Sequence, residues 1–314
     1  MDINGFSVDP LNMADSNPGR VEYCPGGVGR NIAENLHRLG ADVRFIGVIG
    51  DDPGGEFIKN SSEQIGLNIE HSLFQSSGQT SKNPTISNVT SVYIALMDWD
   101  GEMKLALADM NIMEQMTTEH LESKAKIIED SAIVLLDTNL PEEIISFILD
   151  RFAGTGPLFF LDPVSARKAP KAASRIGSFD TIKMGRMEAS VLSGVEIPKA
   201  PEAGIGGTLM EKLKEAARVF IGKGVRRVFI TLGKEGVFTA SAVKSFFTPV
   251  QYVQPYNTSG GGDAFMAGIV YGTLQGWDEE KIVSFSLAMA RITVHSKSTV
   301  SPEMCLRLVE KELL

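Results

Sequence analysis

The sequence predicts a layered α/β fold in which helices cover a mostly parallel β-sheet. The chain has 314 residues, 43% of them apolar, which suffices for one large core or for one core with a small appendage. From residue 130 onward, short apolar runs alternate with amphipathic stretches, a pattern typical of a parallel sheet between helices. An earlier pair of apolar segments breaks this alternation and predicts a smaller β element.

The elements of the large sheet are spaced widely enough for right-handed crossovers. The predicted strands are 132–136, 158–161, 181–183 and 227–231, and the predicted helices lie near 141–153, 208–222, 262–275 and 278–296. Residues 197–207 predict a surface loop because they combine glycine and proline.

Two features of the first third of the chain stand apart from the large sheet. Residues 91–97 and 103–108 flank the turn Asp98-Trp99-Asp100-Gly101, which predicts a β-hairpin that we expect to form a flap. A glycine-rich turn at 24–31 precedes an amphipathic run through Leu39, so a helix ending at Gly40 is also predicted.

Composition limits the partners and the location. A net charge of −9 and a pI near 5.1 disfavour nucleic acid, which is bound through clustered Lys and Arg, and favour a small-molecule substrate. Cys24 and Cys305 are far apart and lack CxxC spacing, so neither a disulfide framework nor a zinc site is indicated, and a cytoplasmic location is expected. No apolar run approaches the ~18 residues of a membrane span, and no export signal is recognisable.

The most informative stretch runs from Asn257 to Phe265 and contains Gly260-Gly261-Gly262-Asp263. It follows a strand-like segment and opens a helix-like one, so its glycine amides and the helix dipole favour a bound anion. Asp263 beside that anion would be a base that accepts a proton from an attacking hydroxyl. The alternative is a glycine-rich turn whose Asp263 is a first-turn carboxylate. No Gly-Lys-Ser or Gly-Lys-Thr follows, and the position late in the chain does not fit a dinucleotide fingerprint.

Two motifs together carry a resemblance to a known family. Residues 25–31 (Pro-Gly-Gly-Val-Gly-Arg-Asn) and 260–265 (Gly-Gly-Gly-Asp-Ala-Phe) resemble the two signatures of the ribokinase-like, or PfkB, carbohydrate kinases. Further segments are similar to the pseudouridine kinases of that family, and the likeness covers nearly the whole chain. These segments are 14–19, 107–112, 137–140 and 161–166.

This resemblance implies a fold and an activity. The fold is a ribokinase-like three-layer α/β/α sandwich with a mostly parallel central sheet, formed by a single kinase domain over residues 1–314. A small β lid comes from about residues 6–24 and 85–109. The activity is a magnesium-requiring transfer of the γ-phosphate of ATP to the 5′-hydroxyl of pseudouridine. Lids of this kind pair between subunits in the family, so a homodimer is expected.

The resemblance also assigns the residues that hold and activate the acceptor. Asp263 is the base, and the backbone N–H groups of Gly260, Gly261 and Gly262 form an anion hole for the transferred phosphoryl group. Asp2 and Asn31 hydrogen-bond ribose hydroxyls, while Gly26 and Gly27 let the backbone approach the sugar. Asp109 and Asn111 complete the substrate-binding set.

Turn chemistry is the alternative for Asp109 and Asn111, and also for Asp137 and Asn139, which follow another predicted strand. For Lys168 we favour a solvated surface position over contact with phosphate.

Nucleotide and metal contacts are implied for a second group of residues. The segment Thr-Leu-Gly-Lys-Glu-Gly at 231–236 resembles the nucleotide-binding turn of the family. The resemblance assigns nucleotide contacts to Thr231, Gly233 and Gly236. The alternative is a β-hairpin turn, and both interpretations can hold. Glu188 would reach Mg²⁺ through water.

The chain departs from the family pattern at several positions. Gly185 replaces the Asn of the family's Asn-x-x-Glu motif, a loss expected to reduce activity or alter magnesium dependence, and Gly261 stands where Ala is usual. Asn257 replaces an Asp of a monovalent-cation site, which leaves potassium activation open. The family begins with a strand before the residue matching Asp2, whereas only Met1 precedes Asp2 here.

Two alternative functions remain. One is a kinase for another acceptor such as ribose, fructose or adenosine. The other is a non-catalytic nucleoside-binding protein on the same scaffold, since fold alone does not guarantee activity; the retained Asp263 argues against it.

Overall fold

A computed structural model describes residues 1–75, 88–199, 206–250, 256 and 259–313. The chain divides into two units. The first unit comprises Met1–Met116, Pro255–Ala267 and Ala288–Leu314, and the second comprises Thr117–Gln254 and Gly268–Leu287. The single kinase domain with a lid from about 6–24 and 85–109 stays a prediction. Three earlier predictions fall partly outside the described residues: Asn257, residues 200–205 of the predicted surface loop, and residues 85–87 of the predicted lid.

Short apolar runs form the strands. In the described residues the strands are β1 (Asp2–Ser7), β2 (Gly19–Cys24), β3 (Val48–Gly50), β4 (Leu73–Gln75), β5 (Val92–Met97), β6 (Met103–Asp109), β7 (Ile133–Asp137), β8 (Leu158–Asp162), β9 (Thr181–Gly185), β10 (Arg227–Thr231), β11 (Gly236–Ser241) and β12 (Ser245–Pro249). The four strands predicted for the large sheet and both strands of the hairpin are confirmed, with ends shifted by at most two residues.

The helices follow the amphipathic stretches. In the described residues they are α1 (Val28–Arg38), α2 (Pro53–Ile65), α3 (Thr118–Glu122), α4 (Ala125–Glu129), α5 (Glu142–Phe152), α6 (Arg186–Ser193), α7 (Gly207–Gly222), α8 (Gly261–Leu274), α9 (Glu279–Val294) and α10 (Leu306–Glu312). Within the described ranges, 3₁₀ segments cover Asn111–Gln115, Ala169–Ser178 and Gly233–Glu235. The structure describes no helix that is long and apolar enough to cross a membrane.

The first unit contains a four-stranded sheet in the order β2-β1-β5-β6, and a short parallel pair of β3 and β4. β1 pairs antiparallel with β2 and parallel with β5, and β5 with β6 forms the predicted hairpin. The hairpin turn ends at Gly101, whose φ of 81° is the left-handed conformation that favours glycine. β1 begins at Asp2, so the pairing of Asp2 with Cys24 places the Asp2 carboxylate beside the turn at 25–27.

The second unit contains a six-stranded sheet in the order β12-β11-β10-β9-β8-β7. β7 to β10 are parallel, and β11 and β12 extend the sheet as antiparallel strands. Phe159, Phe160 and Leu161 are all buried, which is typical of a parallel strand covered on both faces. Parallel strands end at one edge, so Asp137, Asp162, Gly185 and Thr231, the last residues of β7 to β10, all lie along it.

Candidate active site

A polar link in the first unit joins the two sequence motifs. The Asn31 side chain donates from Nδ2 to Oδ2 of Asp263 over 2.8 Å, although the two residues are 232 positions apart. Asn31 lies in the first turn of α1, and Asp263 lies in the first turn of α8. A hydrogen bond from the Asn31 side-chain amide favours the ionised form of the Asp263 carboxylate, and this is the form that a base requires.

The start of α1 fixes Asn31. Gly27 precedes the helix with φ of 101°, a conformation that side-chain-bearing residues rarely adopt. The Gly27 carbonyl accepts a hydrogen bond from the backbone N–H of Asn31 over 2.8 Å. Asn31 is 3% exposed, and its Oδ1 has no hydrogen-bond partner among the described residues. A buried acceptor of this kind is explained by a water or ligand hydroxyl that donates to it.

The glycines before Asp263 have packing roles as well. Gly260 has φ of 80°, and a Cβ there would overlap the carbonyl of Thr299. A Cβ on Gly261 would lie 3.0 Å from Cγ1 of Val294. Thr299 also donates from Oγ1 to the carbonyl of Pro25 over 3.1 Å, so one residue contacts both motifs.

The backbone at the start of α8 can still face an anion. The first intrahelical bond there runs from the Ala264 amide to the Gly260 carbonyl over 2.9 Å. The Gly261 and Gly262 amides precede it and belong to the set that a helix leaves for other partners. Gly262 is exposed at this end. The glycine-turn interpretation and the anion-hole prediction are therefore compatible.

Asp2 packs against the first motif. A Cβ on Gly26 would overlap the Asp2 carboxylate, so only glycine allows this approach. Burial raises the pKa of Asp2, while the positive charges of the Met1 amino group and Arg30 oppose the shift. A carboxylate held in this way is available to hydroxyl donors.

Arg30 lies in the first motif and Thr299 contacts both motifs, but the sequence interpretation assigned a role to neither. Arg30 is 3% exposed and donates to Glu34 over 2.8 Å, and Glu34 also pairs with Arg38. Burial lowers the pKa of Arg30, and Glu34 opposes this shift. The spacing of 30, 34 and 38 on one helix face was a usable signal, whereas nothing in the sequence marks Thr299.

Asp109 and Asn111 lie at the end of β6 and are exposed. The Asn111 amide donates to Oδ1 of Asp109 over 3.2 Å, which supports the turn alternative. Their role in substrate binding stays a prediction.

The nucleotide-binding turn predicted in the second unit is a hairpin turn between β10 and β11. The Leu232 amide donates to the Gly236 carbonyl over 2.8 Å, and Thr231 donates from Oγ1 to the Met184 carbonyl over 3.3 Å. A Cβ on Gly236, at φ of 132°, would overlap the Thr248 carbonyl, whereas the same position on Gly233 faces open space. The hairpin interpretation is confirmed, and nucleotide contact stays a prediction.

Gly185 directly precedes α6, and Glu188 lies in the first turn of this helix. A Cβ on Gly185 would lie 2.5 Å from Oε2 of Glu188. The missing side chain at 185 thus leaves the space into which the carboxylate folds.

The surface position predicted for Lys168 is wrong. This side chain is half-buried, and its Nζ donates to Oδ1 of Asn139 over 2.5 Å. Nearby, Lys183 and Asp162 form a buried ion pair with 2.5 Å between Nζ and Oδ2.

Comparison with known proteins identifies the family. The model of the pfkB family carbohydrate kinases matches residues 1–304. Pseudouridine kinase of Escherichia coli K12 is 31% identical over 306 residues, which cover 97% of this chain and 90% of that protein. Ribokinase of Haemophilus influenzae is 28% identical over 276 residues, which cover 88% and 83%.

Solved structures show the same fold. A candidate sugar kinase from Clostridium perfringens is 35% identical with a TM-score of 0.79, over 99% of this chain and 92% of that chain. The ribokinase of Arabidopsis thaliana complexed with ribose and ATP is 20% identical with a TM-score of 0.76, over 99% and 95%. The predicted ribokinase-like α/β fold is confirmed. The chain belongs to the pfkB family of carbohydrate kinases, phosphotransferases that act on the hydroxyl groups of sugars or nucleosides.

Proposed function

We propose that this kinase transfers the γ-phosphate of ATP to the 5′-hydroxyl of pseudouridine. The observation that carries the proposal is the 2.8 Å hydrogen bond between Asn31 and Asp263, because it joins the motif predicted to bind the sugar to the predicted base. The similarity to a pseudouridine kinase over 97% of the chain favours this acceptor.

Asp263 acts as the general base in this mechanism. Its carboxylate takes the proton of the 5′-hydroxyl while the hydroxyl oxygen forms a bond to the γ-phosphorus, and the bond between that phosphorus and the β,γ-bridging oxygen breaks to release ADP. The Asn31 amide holds the carboxylate in place. The amides of Gly260 to Gly262 offer donors to negative charge that builds up on the phosphoryl oxygens.

The ribose is recognised by the polar groups around Asn31. The buried Oδ1 of Asn31 is an acceptor that suits a ribose hydroxyl. Asp2 offers a second acceptor, and Gly26 lets the sugar approach the backbone because no Cβ is present. These contacts orient the acceptor, which is a large part of catalysis in phosphoryl transfer.

The second unit suits a nucleotide with its magnesium. The open space over Gly233 supports contact between the hairpin turn and ATP. The described residues hold no group of three or more metal-binding side chains, which fits Mg²⁺, a cation usually bound by one or two carboxylates plus substrate phosphates and waters. Glu188 is the residue that would hold the hydrated cation, and the metal would supply charge neutralisation on the phosphates. Potassium activation stays open.

We also propose a homodimer formed through the four-stranded sheet. The strand pairing aligns Val21, Gly5, Leu96 and Leu105 in one row across all four strands. Val21, Leu96 and Leu105 are exposed, as are Tyr23 and Leu107 in the next row. Monomers rarely expose an apolar face of this extent, and a second copy of the same face would cover it.

Light scattering tests the dimer. The native protein should have twice the chain mass of 34.0 kDa, and Leu105→Glu should be monomeric. Val243→Glu is the matched control, since Val243 is an exposed apolar residue of the second unit. A native monomer at micromolar concentration would exclude this proposal.

A panel of nucleosides and sugars with an ADP-release readout tests the activity. The panel contains pseudouridine, uridine, adenosine, ribose and fructose at fixed MgATP. The highest kcat/KM is expected for pseudouridine. A higher value for another acceptor would assign the protein to a different kinase of the family. Nucleoside binding by calorimetry without MgATP binding or turnover would favour the non-catalytic alternative.

A further inference from the structure

A cluster of polar side chains in the second unit lies where the parallel strands β7 and β8 end. The strand pairing places Asp137 beside Asp162, and the loops after them carry Asn139 and Lys168. Open α/β sheets bind ligands at the carboxyl ends of their strands. This edge is therefore a natural place to look for a ligand contact.

Asn139 and Lys168 form a pair with a defined orientation. Lys168 donates from Nζ to the side-chain oxygen Oδ1 of Asn139 over 2.5 Å. The backbone N–H of Asn139 donates to Oδ1 of Asp137 over 2.7 Å. An ammonium group only donates, so the amide atom that faces it is the oxygen. The Nδ2 group consequently points away from Lys168, and the pair presents N–H donors from both side chains.

The backbone that carries Lys168 is tightly constrained. Val164 has φ of 57°, a strained conformation for a β-branched residue. Its amide donates to Oδ1 of Asp162 over 2.9 Å, and the Lys168 amide donates to the Ser165 carbonyl over 3.0 Å. These bonds fix the turn, and strained turns of this kind cluster at binding sites.

The charge of Lys168 is balanced differently from that of its neighbour Lys183. Lys183 is paired directly with the Asp162 carboxylate, whereas the hydrogen-bond partner of Lys168 is a neutral amide. Burial lowers the pKa of Lys168; the Asp137 carboxylate opposes the shift and Lys171 adds to it. Lys171 donates from Nζ to the Leu140 carbonyl over 3.1 Å, so two ammonium groups contact the same loop. An anion bound here would stabilise the charged form of Lys168.

We propose that Lys168, positioned by Asn139, binds phosphate oxygens in the second unit. The inference rests on the proposed kinase function, which supplies phosphate groups on the nucleotide and on the phosphorylated product. Charge-assisted hydrogen bonds from lysine to phosphate are the chemistry that the pair offers. The alternative is that Lys168 only pins the loop at 137–140.

Calorimetric titrations separate these roles with three probes: MgATP, inorganic tripolyphosphate and pseudouridine 5′-phosphate. Lys168→Met should weaken binding of a phosphate probe about tenfold to a hundredfold, and Lys168→Arg should retain most of the affinity. Asn139→Asp should weaken the same probe, because the new carboxylate neutralises the lysine without changing side-chain size. Lys171→Met is the comparison variant. It removes a similar bond to the same loop and should weaken binding of the phosphate probe less than Lys168→Met does.

A loss for MgATP and tripolyphosphate assigns the site to the nucleotide, and a loss confined to the monophosphate assigns it to the product. Equal weakening by Lys168→Met and Lys171→Met, or native affinity for all three probes in Lys168→Met, would overturn the inference. A separate titration with unphosphorylated pseudouridine serves as a control, and a loss of affinity confined to this nucleoside would also overturn the inference. If Lys168→Met does not fold, the affinity of Asn139→Asp for the same three probes decides between these outcomes. Failure of the native protein to bind MgATP contradicts the proposed function itself, whereas native binding that Lys168→Met leaves unchanged contradicts this inference alone.

Discussion

Replacing Asp263 by Asn separates the catalytic role of this carboxylate from its structural role. The substitution keeps the size of the side chain and leaves an oxygen that can still accept from Nδ2 of Asn31, now 2.8 Å from Oδ2 of Asp263. It removes the negative charge and most of the basicity. The variant should therefore fold and lose activity.

The two expected effects differ in size. A hydrogen bond to a charged group contributes about 1.5–3 kcal/mol and a neutral one about 0.5–1.5 kcal/mol, so the free energy of unfolding should fall by about 1–1.5 kcal/mol. Loss of a general base costs ~10²–10⁴ in rate. That factor corresponds to roughly 2.7–5.5 kcal/mol in activation free energy, which exceeds the change in stability.

Two assays measure these effects: ADP release with pseudouridine and MgATP, and urea denaturation. Asp278→Asn is the matched control, because Asp278 is another carboxylate that accepts a hydrogen bond near a helix start, here from the backbone amide of Lys281 over 2.9 Å, and no function is assigned to it. Its kcat should equal the native value. If Asp263→Asn keeps kcat within tenfold of the native enzyme, Asp263 is only a structural carboxylate in the first turn of α8 and the catalytic assignment is wrong.

Four further substitutions, one of them a control, test the surroundings of the site. Because burial raises the folded-state pKa of Asp2, the stabilising effect of this group is present below the unfolded-state pKa and is lost as pH rises through the folded-state pKa. Asp2→Asn should therefore gain stability relative to native in urea denaturation as pH rises above the ordinary pKa of an Asp carboxyl, and a difference that does not change with pH would contradict this. Gly260→Ala should lower the free energy of unfolding by about 2–5 kcal/mol, because the new side chain would have a left-handed φ and would overlap the Thr299 carbonyl. Gly262→Ala at the exposed helix start is the control and should stay within about 1 kcal/mol of native. Equal melting temperatures of the two variants would refute the packing role of Gly260. Gly185→Asn should displace the Glu188 carboxylate from the space beside residue 185. It should thereby lower the Mg²⁺ concentration that gives half-maximal activity. An unchanged magnesium titration would show that Glu188 does not belong to the metal site.

The large sheet was predictable because burial leaves a strong trace in the sequence. β7, β8 and β10 contain continuous apolar runs because both faces of the sheet are covered, whereas Lys183 interrupts the run in β9. The predicted limits of all four strands differ from the observed ones by at most two residues. β3 and β4 have three residues each, too few to show a period of two. β1 was not predicted as a strand, because its sequence, Asp-Ile-Asn-Gly-Phe-Ser, alternates weakly.

The site was predictable in its motifs and not in its contacts. Glycine amides and a carboxylate before a helix indicate an anion site from local sequence alone. The bond between Asn31 and Asp263 spans 232 positions, and the bond between Lys168 and Asn139 spans 29. Such pairings depend on the tertiary fold, which explains why Lys168 was assigned to the surface while the structure gives it a buried partner.

The contacts around Gly260 change what counts as evidence for catalysis. The Thr299 carbonyl alone requires glycine at 260, and Val294 disfavours a larger residue at 261, so the glycines would be present in a protein that binds no phosphate. Packing does not explain the Asp263 carboxylate, which accepts a hydrogen bond from the buried side-chain amide of Asn31. The oxygen of that same amide has no partner among the described residues. A purely structural pair would satisfy both ends of the Asn31 amide, because a buried unsatisfied acceptor costs about 1–3 kcal/mol. The unsatisfied oxygen, more than the glycine run, therefore favours a substrate hydroxyl at this position.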